Sequence, residues 1–397
     1  MPTVGFPEAR HIVLETVQAA FRAPAIERVP IEDAGQRVLA EDIAADRDYP
    51  ALARSVRDGF AVRARDIPGE LDVIGEVRAG QRFEGRLGPR QAIEIMTGAP
   101  IPEGADAVVM VEHVQRDAGR IRVSRTASTG DFINPQGCEA RTGEPLLRAG
   151  KRLDYTDIAM LAATGKSEVP VFAKTKAAIL PTGDEIVGIN ETPLEFQVRN
   201  SNSYALAEQV RRAGGIPEIL AVARDDYEHT RGLIDRGLAS DLLLLSGGVS
   251  AGKYDIVERV LADFGAEFFF DRVLIQPGQP LVFGRAMGKF FFGLPGNPSS
   301  TMVTFELFAR AALELLSGQR ASILHMPYAR LTRDFRHKTG LTRFLPACLS
   351  ADGGEVTPVA WHGSGDMPAL TRANAFLVAD SERAEWRQGD LIRVLPK

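Results

Sequence analysis

Apolar positions near the start of the chain recur with a helical period. Ile12, Val13, Leu14, Val17, Ala20 and Phe21 fall on one stripe, so residues 7–23 are predicted to form an amphipathic helix whose stripe packs into a core. From Tyr49 to about Gly143 the period shortens. Runs such as Leu71-Asp72-Val73-Ile74, Ala92-Ile93-Glu94-Ile95-Met96 and Ala107-Val108-Val109-Met110-Val111 alternate with Gly/Pro turns, which predicts a compact β-rich domain over 49–143. Residues 144–173, centred on Ile158-Ala159-Met160-Leu161-Ala162, are expected to return to helix. The β-rich domain is thus expected as an insertion, with 1–48 and 144–173 forming a discontinuous, helical linker domain.

Between residues 174 and 318 the two periods alternate. Strand-like runs at Lys176–Leu180, Glu218–Val222 and Leu242–Leu245 are followed by helical patterns after Asn202, Asp226 and Lys253, which predicts a doubly wound parallel sheet with helices on both faces. Over 319–397, β-rich runs at Tyr328–Leu331, Phe344–Leu349, Val356–Trp361 and Leu391–Val394 predict a small barrel-like domain. The fold class expected is therefore α/β and multidomain.

Composition narrows the function. The 397 residues are 45% hydrophobic and 25% charged with a formal net charge of -5, and they contain no Lys/Arg block that would track a phosphate backbone, so nucleic acid is not an expected partner. Cys138 and Cys348 are far apart and lack a metal-ligand spacing, which argues against a disulfide or zinc framework. Residues 1–22 have no apolar core flanked by basic residues, and no segment approaches about 18 uninterrupted apolar residues. A soluble cytoplasmic protein with a small ligand is expected.

In open α/β sheets, ligands collect beyond the carboxyl ends of the strands. Leu242–Leu245 empties into Ser246-Gly247-Gly248-Val249-Ser250-Ala251-Gly252-Lys253-Tyr254-Asp255, a glycine-rich turn whose amides can converge on an anion. Its spacing nearly spells a P-loop, but Tyr254 stands where a short hydroxyl must reach Mg²⁺. Thr182-Gly183-Asp184-Glu185 ends the first strand of the alternating region and Asp225-Asp226 follows the second. Asp226 is read as a helix N-cap, while Glu185, Asp225 and Asp255 form a strand-end set of hard oxygen donors suited to Mg²⁺. Leu294-Pro295-Gly296-Asn297-Pro298-Ser299-Ser300 puts proline at the first turn of a helix, with the Ser299 and Ser300 amides expected free for an anion. In the inserted domain, Asp58-Gly59 and Thr97-Gly98 by themselves predict only turns.

Together these turns resemble the molybdopterin molybdenumtransferases, the family that includes the E domain of gephyrin. The resemblance runs nearly end to end. It rests on Ser55-x-x-Asp58-Gly59-Phe60-Ala61, Ile95-Met96-Thr97-Gly98-Ala99-Pro100, Gly104-Ala105-Asp106-Ala107-Val108-Val109, Thr182-Gly183-Asp184-Glu185, Ser246-Gly247-Gly248-Val249-Ser250-x-Gly252, Pro277-Gly278-Gln279-Pro280 and Leu294-Pro295-Gly296-Asn297-Pro298. It implies insertion of molybdenum from molybdate into adenylylated molybdopterin, with Mg²⁺-dependent release of AMP.

By the same resemblance, Glu185, Asp225 and Asp255 belong at the metal and pterin phosphate site. Thr182, Gly183, Asp184, Ser246, Gly247, Gly248, Val249, Ser250, Gly252, Lys253, Pro277, Gly278, Pro295, Gly296, Asn297 and Pro298 line the ligand. Asp58 and Thr97 arrive from a second subunit, which implies a homodimer, and contact with the molybdopterin adenylyltransferase is a further implied partnership. Two departures stand out: the family's usual lysines beside Pro277-Gly278 are replaced by Gln276 and Gln279, and its common arginine by Asn134. Either another residue such as Arg57 or Arg272 compensates, or this copy is a paralogue with weakened or altered activity. The alternatives are an adenylyltransferase-like enzyme, which would lack the inserted domain, and a cofactor carrier or scaffold.

Overall fold

The computed structural model describes residues 3–247 and 256–397. The chain divides into two compact units. The larger comprises Met1–Ala40, Gly150–Asp154 and Pro170–Lys397; the smaller comprises Glu41–Ala149 and Tyr155–Val169.

The larger unit is built on a seven-stranded sheet whose elements, numbered in chain order within this unit, are β1 (Thr3–Val4), β2 (Lys176–Pro181), β3 (Ile216–Ile219), β4 (Leu242–Ser246), β5 (Glu267–Val273), β6 (Pro280–Ala286) and β7 (Lys289–Leu294), in the order β1-β5-β6-β7-β4-β2-β3. Strands β3, β2, β4 and β7 are mutually parallel. The sheet is wound on both faces. Ala177, Ile179, Leu242 and Leu244 join one core with helices α1 (Phe6–Ala19) and α2 (Asn202–Arg212). The alternate residues Ala178, Leu180, Leu243 and Leu245 join the other with α3 (Tyr227–Leu238) and α4 (Ile256–Asp263). Burial on both sides is why β4 reads as an unbroken run of leucines. The expected all-parallel order holds only this far, because β6 runs antiparallel to both β7 and β5. The cause is local: Met287 and Gly288 have φ of 49° and 78°, the geometry of a two-residue turn, and so short a connection joins only antiparallel strands.

After β7 the chain enters α5 (Pro298–Thr304), a π-helical turn over Phe305–Ala309, and α6 (Arg310–Leu316). The C-terminal strands Thr342–Leu349, Glu355–Pro358, Tyr328–Leu331, Leu391–Pro396 and Ala375–Ala379 pair in that order. Ala375–Ala379 also pairs with Thr342–Leu349 and closes a five-stranded barrel around Leu331, Val356, Leu377 and Ile392.

The smaller unit carries a six-stranded sheet in the order Ala107–Met110, Gly59–Val62, Gln91–Ile95, Gly69–Val77, Arg120–Val123, Val114–Asp117. Of the stretch 144–173 that was expected to be helical, only Tyr155–Ala163 is helix. Pro145–Leu147 and Glu168–Phe172 are strands, and Gly150 and Gly165, with φ of 81° and 72°, turn the chain at positions no helix interior allows. Among the described residues no helix is long and apolar enough to cross a membrane.

Gly59 shows how tightly the smaller sheet is built. A Cβ there would lie 1.9 Å from the Val109 carbonyl oxygen, on a neighbouring strand that cannot yield without breaking its ladder. Gly59→Ala is expected to cost roughly 2–4 kcal/mol of unfolding free energy. Gly35→Ala, where nothing lies within 4 Å, should change it by less than about 0.5 kcal/mol. Urea denaturation of the two variants measures the difference.

Candidate functional site at the strand ends

The hydrogen-bond ladder of the larger sheet runs on past the strands into their turns. Thr182 N donates to Ser246 O at 3.1 Å, Gly247 N to Leu294 O at 3.1 Å and Gly183 N to Ala223 O at 3.1 Å. Three turns are thereby held side by side at the carboxyl ends of β2, β4 and β7. Gly247 makes this approach feasible: its φ is 95°, and a Cβ would come within 2.8 Å of Thr182 O and 3.3 Å of Thr182 Oγ1. A Cβ on Gly296 would lie 3.6 Å from Gly247 Cα.

A side chain that carries no predicted role ties this group together. Asn202, at the start of α2, donates from Nδ2 to Ser246 Oγ at 3.1 Å and to Gly296 O at 2.7 Å. Its Oδ1, Thr182 Oγ1 and Ser299 Oγ are all buried without a hydrogen-bond partner. Buried polar atoms are ordinarily paired. Three orphans around one set of strand-end turns mark a site built for a polar ligand.

The acidic residues sit at the same end. Glu185 folds back over its own turn, so that a Cβ on Gly183 would lie 2.5 Å from Glu185 Oε2. Asp225 N donates to Asp184 Oδ1 at 3.2 Å, which brings the first and second turns into contact. Asp226 Oδ1 accepts the His229 amide at 2.7 Å and caps α3, as its position in the sequence predicts. Gly248, Val249, Ser250, Gly252, Lys253 and Asp255 lie outside the described residues. Among the described residues no group of three His, Cys, Asp or Glu side chains could by itself hold a metal. The donors present still fit Mg²⁺, which is usually held by one or two carboxylates with substrate phosphates and water completing its shell. Glu185 and Asp225 are carboxylates of that kind at the strand ends.

Beside these turns lies a cavity of about 330 Å³, lined by Gln276, Pro277, Gly278, Gln279, Pro295, Asn297, Ser300, Leu341, Trp361, Gly363 and Ser364 among others. Pro295 and Asn297 belong to the turn after β7, so that turn borders the cavity. Here the structure corrects one expectation. The Ser299 amide is not free for an anion, since it donates to Ser364 O at 3.0 Å; the loop before the helix Met367–Arg372 packs onto the start of α5. Pro298 does occupy the first turn of that helix.

Within the larger unit, one cation lies beside Gln276 that the sequence did not single out. Arg272 is exposed on β5 opposite Pro280, and Arg57, in the smaller unit, donates to its own neighbour's carbonyl, Val56 O. The cation beside Gln276 is Arg343. It pairs in register with Gln276, and its Nε is buried without a partner. No local pattern in the sequence marks it, because a parallel pairing between distant segments puts it there.

In the smaller unit, Asp58 and Thr97 come together although 39 residues separate them. Asp58 Oδ1 accepts the Thr97 amide at 2.6 Å and Thr97 Oγ1 at 2.8 Å. The amide first, then the hydroxyl, holds the Asp58 carboxyl below its usual range. Asn134 lies in the same unit, paired with Arg54.

Three regions of the chain match known families: residues 4–165 the MoeA N-terminal region (domain I and II), 178–315 the molybdopterin-binding domain, and 328–397 the MoeA C-terminal region (domain IV). The chain is 37% identical over 386 residues to the molybdopterin molybdenumtransferase of Bacillus subtilis strain 168, covering 93% of this chain and 89% of that one. It is 31% identical over 382 residues to that of Staphylococcus aureus strain Mu50, covering 94% and 91%. The crystal structure of a molybdopterin biosynthesis MoeA protein from Pyrococcus horikoshii OT3 superposes with a TM-score of 0.83 at 30% identity over the whole of both chains.

The Asp58 pair yields a direct prediction. A carboxyl held low is favoured by folding above its ordinary pKa, and that contribution disappears as pH falls through the lowered value. Thr97→Val removes the hydroxyl donor but keeps the amide, so the Asp58 midpoint should move part of the way up toward about 3.9. NMR titration of the Asp58 side chain measures it; a midpoint unmoved by the substitution contradicts the hydroxyl's role.

Proposed function

The chain belongs to the molybdopterin molybdenumtransferase family and is a transferase of molybdenum cofactor biosynthesis, and from that premise we propose how its site works. It takes adenylylated molybdopterin and molybdate, releases AMP and leaves molybdenum on the pterin. The observation that supports this reading is that the strand-end turns with their orphaned hydroxyl and amide oxygens and the cavity at Pro295 and Asn297 meet at the turn after β7. One suits a phosphate and the other a compact oxyanion.

In this reading the unpaired Thr182 hydroxyl donates to the pterin phosphate, and the Gly183 and Gly247 amides, bonded to Ala223 O and Leu294 O, hold the turns that present it. Asn202 keeps the turns after β4 and β7 at a fixed spacing. Glu185 and Asp225 would hold Mg²⁺, with Asp255 as the third donor. Bound there, the ion would supply charge neutralisation for the phosphates. Asp184 is a structural acceptor for the Asp225 amide. Pro277 and Gly278 shape the wall of the oxyanion cavity, and Arg343 supplies positive charge where Gln276 and Gln279 supply none.

Asp225→Asn keeps size and removes a charge, so AMP release should fall about a hundredfold or more, the scale of losing one preorganised electrostatic group. The result that overturns the assignment is an unchanged rate with unchanged Mg²⁺ dependence. At the cavity, Gln279→Lys adds a cation beside the oxyanion. One charge-assisted hydrogen bond contributes about 1.5–3 kcal/mol, so the molybdate concentration for half-maximal insertion should drop roughly tenfold while the pterin concentration dependence stays put. An equal shift in both would move the role of these positions to the pterin.

We further propose a symmetric homodimer in which Asp58 and Thr97 of each copy complete the site of the other; closed two-fold dimers are the commonest soluble assembly. Mixing Asp58→Ala chains with Asp225→Asn chains should restore activity through one intact composite site per heterodimer. If subunits exchange and the mixture remains dead, the shared site is wrong.

A further inference from the structure

The turn from Thr182 to Glu185 is gripped by a cation that has no part in the assignment above. Arg224 Nη1 donates to the Asp184 carbonyl at 2.9 Å and to the Gly183 carbonyl at 3.3 Å. The next amide, Asp225 N, donates to Asp184 Oδ1 at 3.2 Å, and the preceding carbonyl, Ala223 O, accepts Gly183 N at 3.1 Å. Three consecutive residues thus hold the backbone of the turn and the first of its two acidic side chains, Asp184. Their own anchor is firm. Arg224 O accepts Thr230 Oγ1 at 2.8 Å, Thr230 is 1% exposed on α3, and Asp226 caps the same helix.

The arrangement solves two problems. Gly183 has a φ of 133°, a conformation open to glycine and therefore cheap to leave; a donor on its carbonyl and on the next one restricts that freedom. Asp184, Glu185, Asp225 and Asp226 also place four carboxylates at one strand-end corner, which a phosphate would not approach unaided. Among the described residues, Arg224 is the cation bonded to this turn.

Resting on the phosphate site proposed above, we propose that Arg224 is a positioning residue: it fixes the Gly183 and Asp184 carbonyls, and through them the direction of the Glu185 carboxylate, before the ligand arrives. It acts through the turn and does not touch the reacting atoms. Its planar guanidinium reaches both carbonyls from one nitrogen, while a lysine ammonium is a point charge on a flexible stem. The conservative substitution therefore separates position from charge.

Arg224→Lys and Arg224→Met are compared with the parent by melting temperature, by amide hydrogen exchange of the peptide spanning 182–186, and by KM and kcat for AMP release. The expected result is a melting temperature within about 3 °C of the parent, with exchange in that peptide faster by about tenfold in both variants and unchanged elsewhere. KM for adenylylated molybdopterin should rise on the order of tenfold in Arg224→Met, proportionately more than kcat falls, with Arg224→Lys recovering only a minor part. The proposal is overturned if Arg224→Lys matches the parent in exchange and KM, if Arg224→Met leaves the turn's exchange unaltered, or if exchange rises throughout the chain with a fall in melting temperature. Should the parent itself release no AMP, the preceding reading of the reaction fails, and the exchange comparison still decides whether Arg224 positions the turn.

Discussion

The site depends on a ladder of backbone hydrogen bonds that does not stop where the strands do. β2, β4 and β7 are buried on both faces, so they are locked in register by packing. The bonds from Thr182, Gly183 and Gly247 then carry that register into the turns. A turn on an exposed loop would have to be ordered by its ligand. Here the rigid sheet has already met that conformational cost, and the buried, unpaired Thr182 Oγ1 and Asn202 Oδ1 are left facing this pre-ordered group.

The antiparallel side of the sheet has a matching consequence. β5 and β6 are joined by the turn containing Pro277 and Gly278, and Gly278, with φ of 104°, sits so close to α5 that a Cβ would meet Thr304 Cγ2 at 2.5 Å. This close approach makes one wall of the cavity. The C-terminal loop carrying Trp361, Gly363 and Ser364 makes another, tied down by the Ser299 amide. The strand-end turns of the parallel strands and the cavity beside an antiparallel turn thus arise from one mixed sheet.

Much of this was legible in the sequence because it is local. The leucine run of β4, the Asp226 cap, the first-turn position of Pro298 and the short strands of the barrel all follow from spacing and residue type, and the end-to-end motifs point to the family. What was not legible is non-local. The reversal at Met287-Gly288 lacked a typical turn pair and left β6 unforeseen. Pro145 and Pro170 flank a helix only nine residues long, where apolar content alone suggested more. Ser364, Arg343, Asn202 and Arg224 reach the site through pairings and side-chain bridges that no window of sequence contains.

The central claim is that the cavity bounded by Pro277, Gly278 and Ser364 holds the oxyanion while the neighbouring strand ends hold the pterin phosphate. Tungstate, a heavy tetrahedral analogue of molybdate, can be located by its anomalous scattering in crystals of the protein. A peak inside that cavity, within hydrogen-bonding distance of its wall, is the predicted result. An empty cavity with tungstate bound instead among the Thr182 and Gly247 turns would contradict the division of the site.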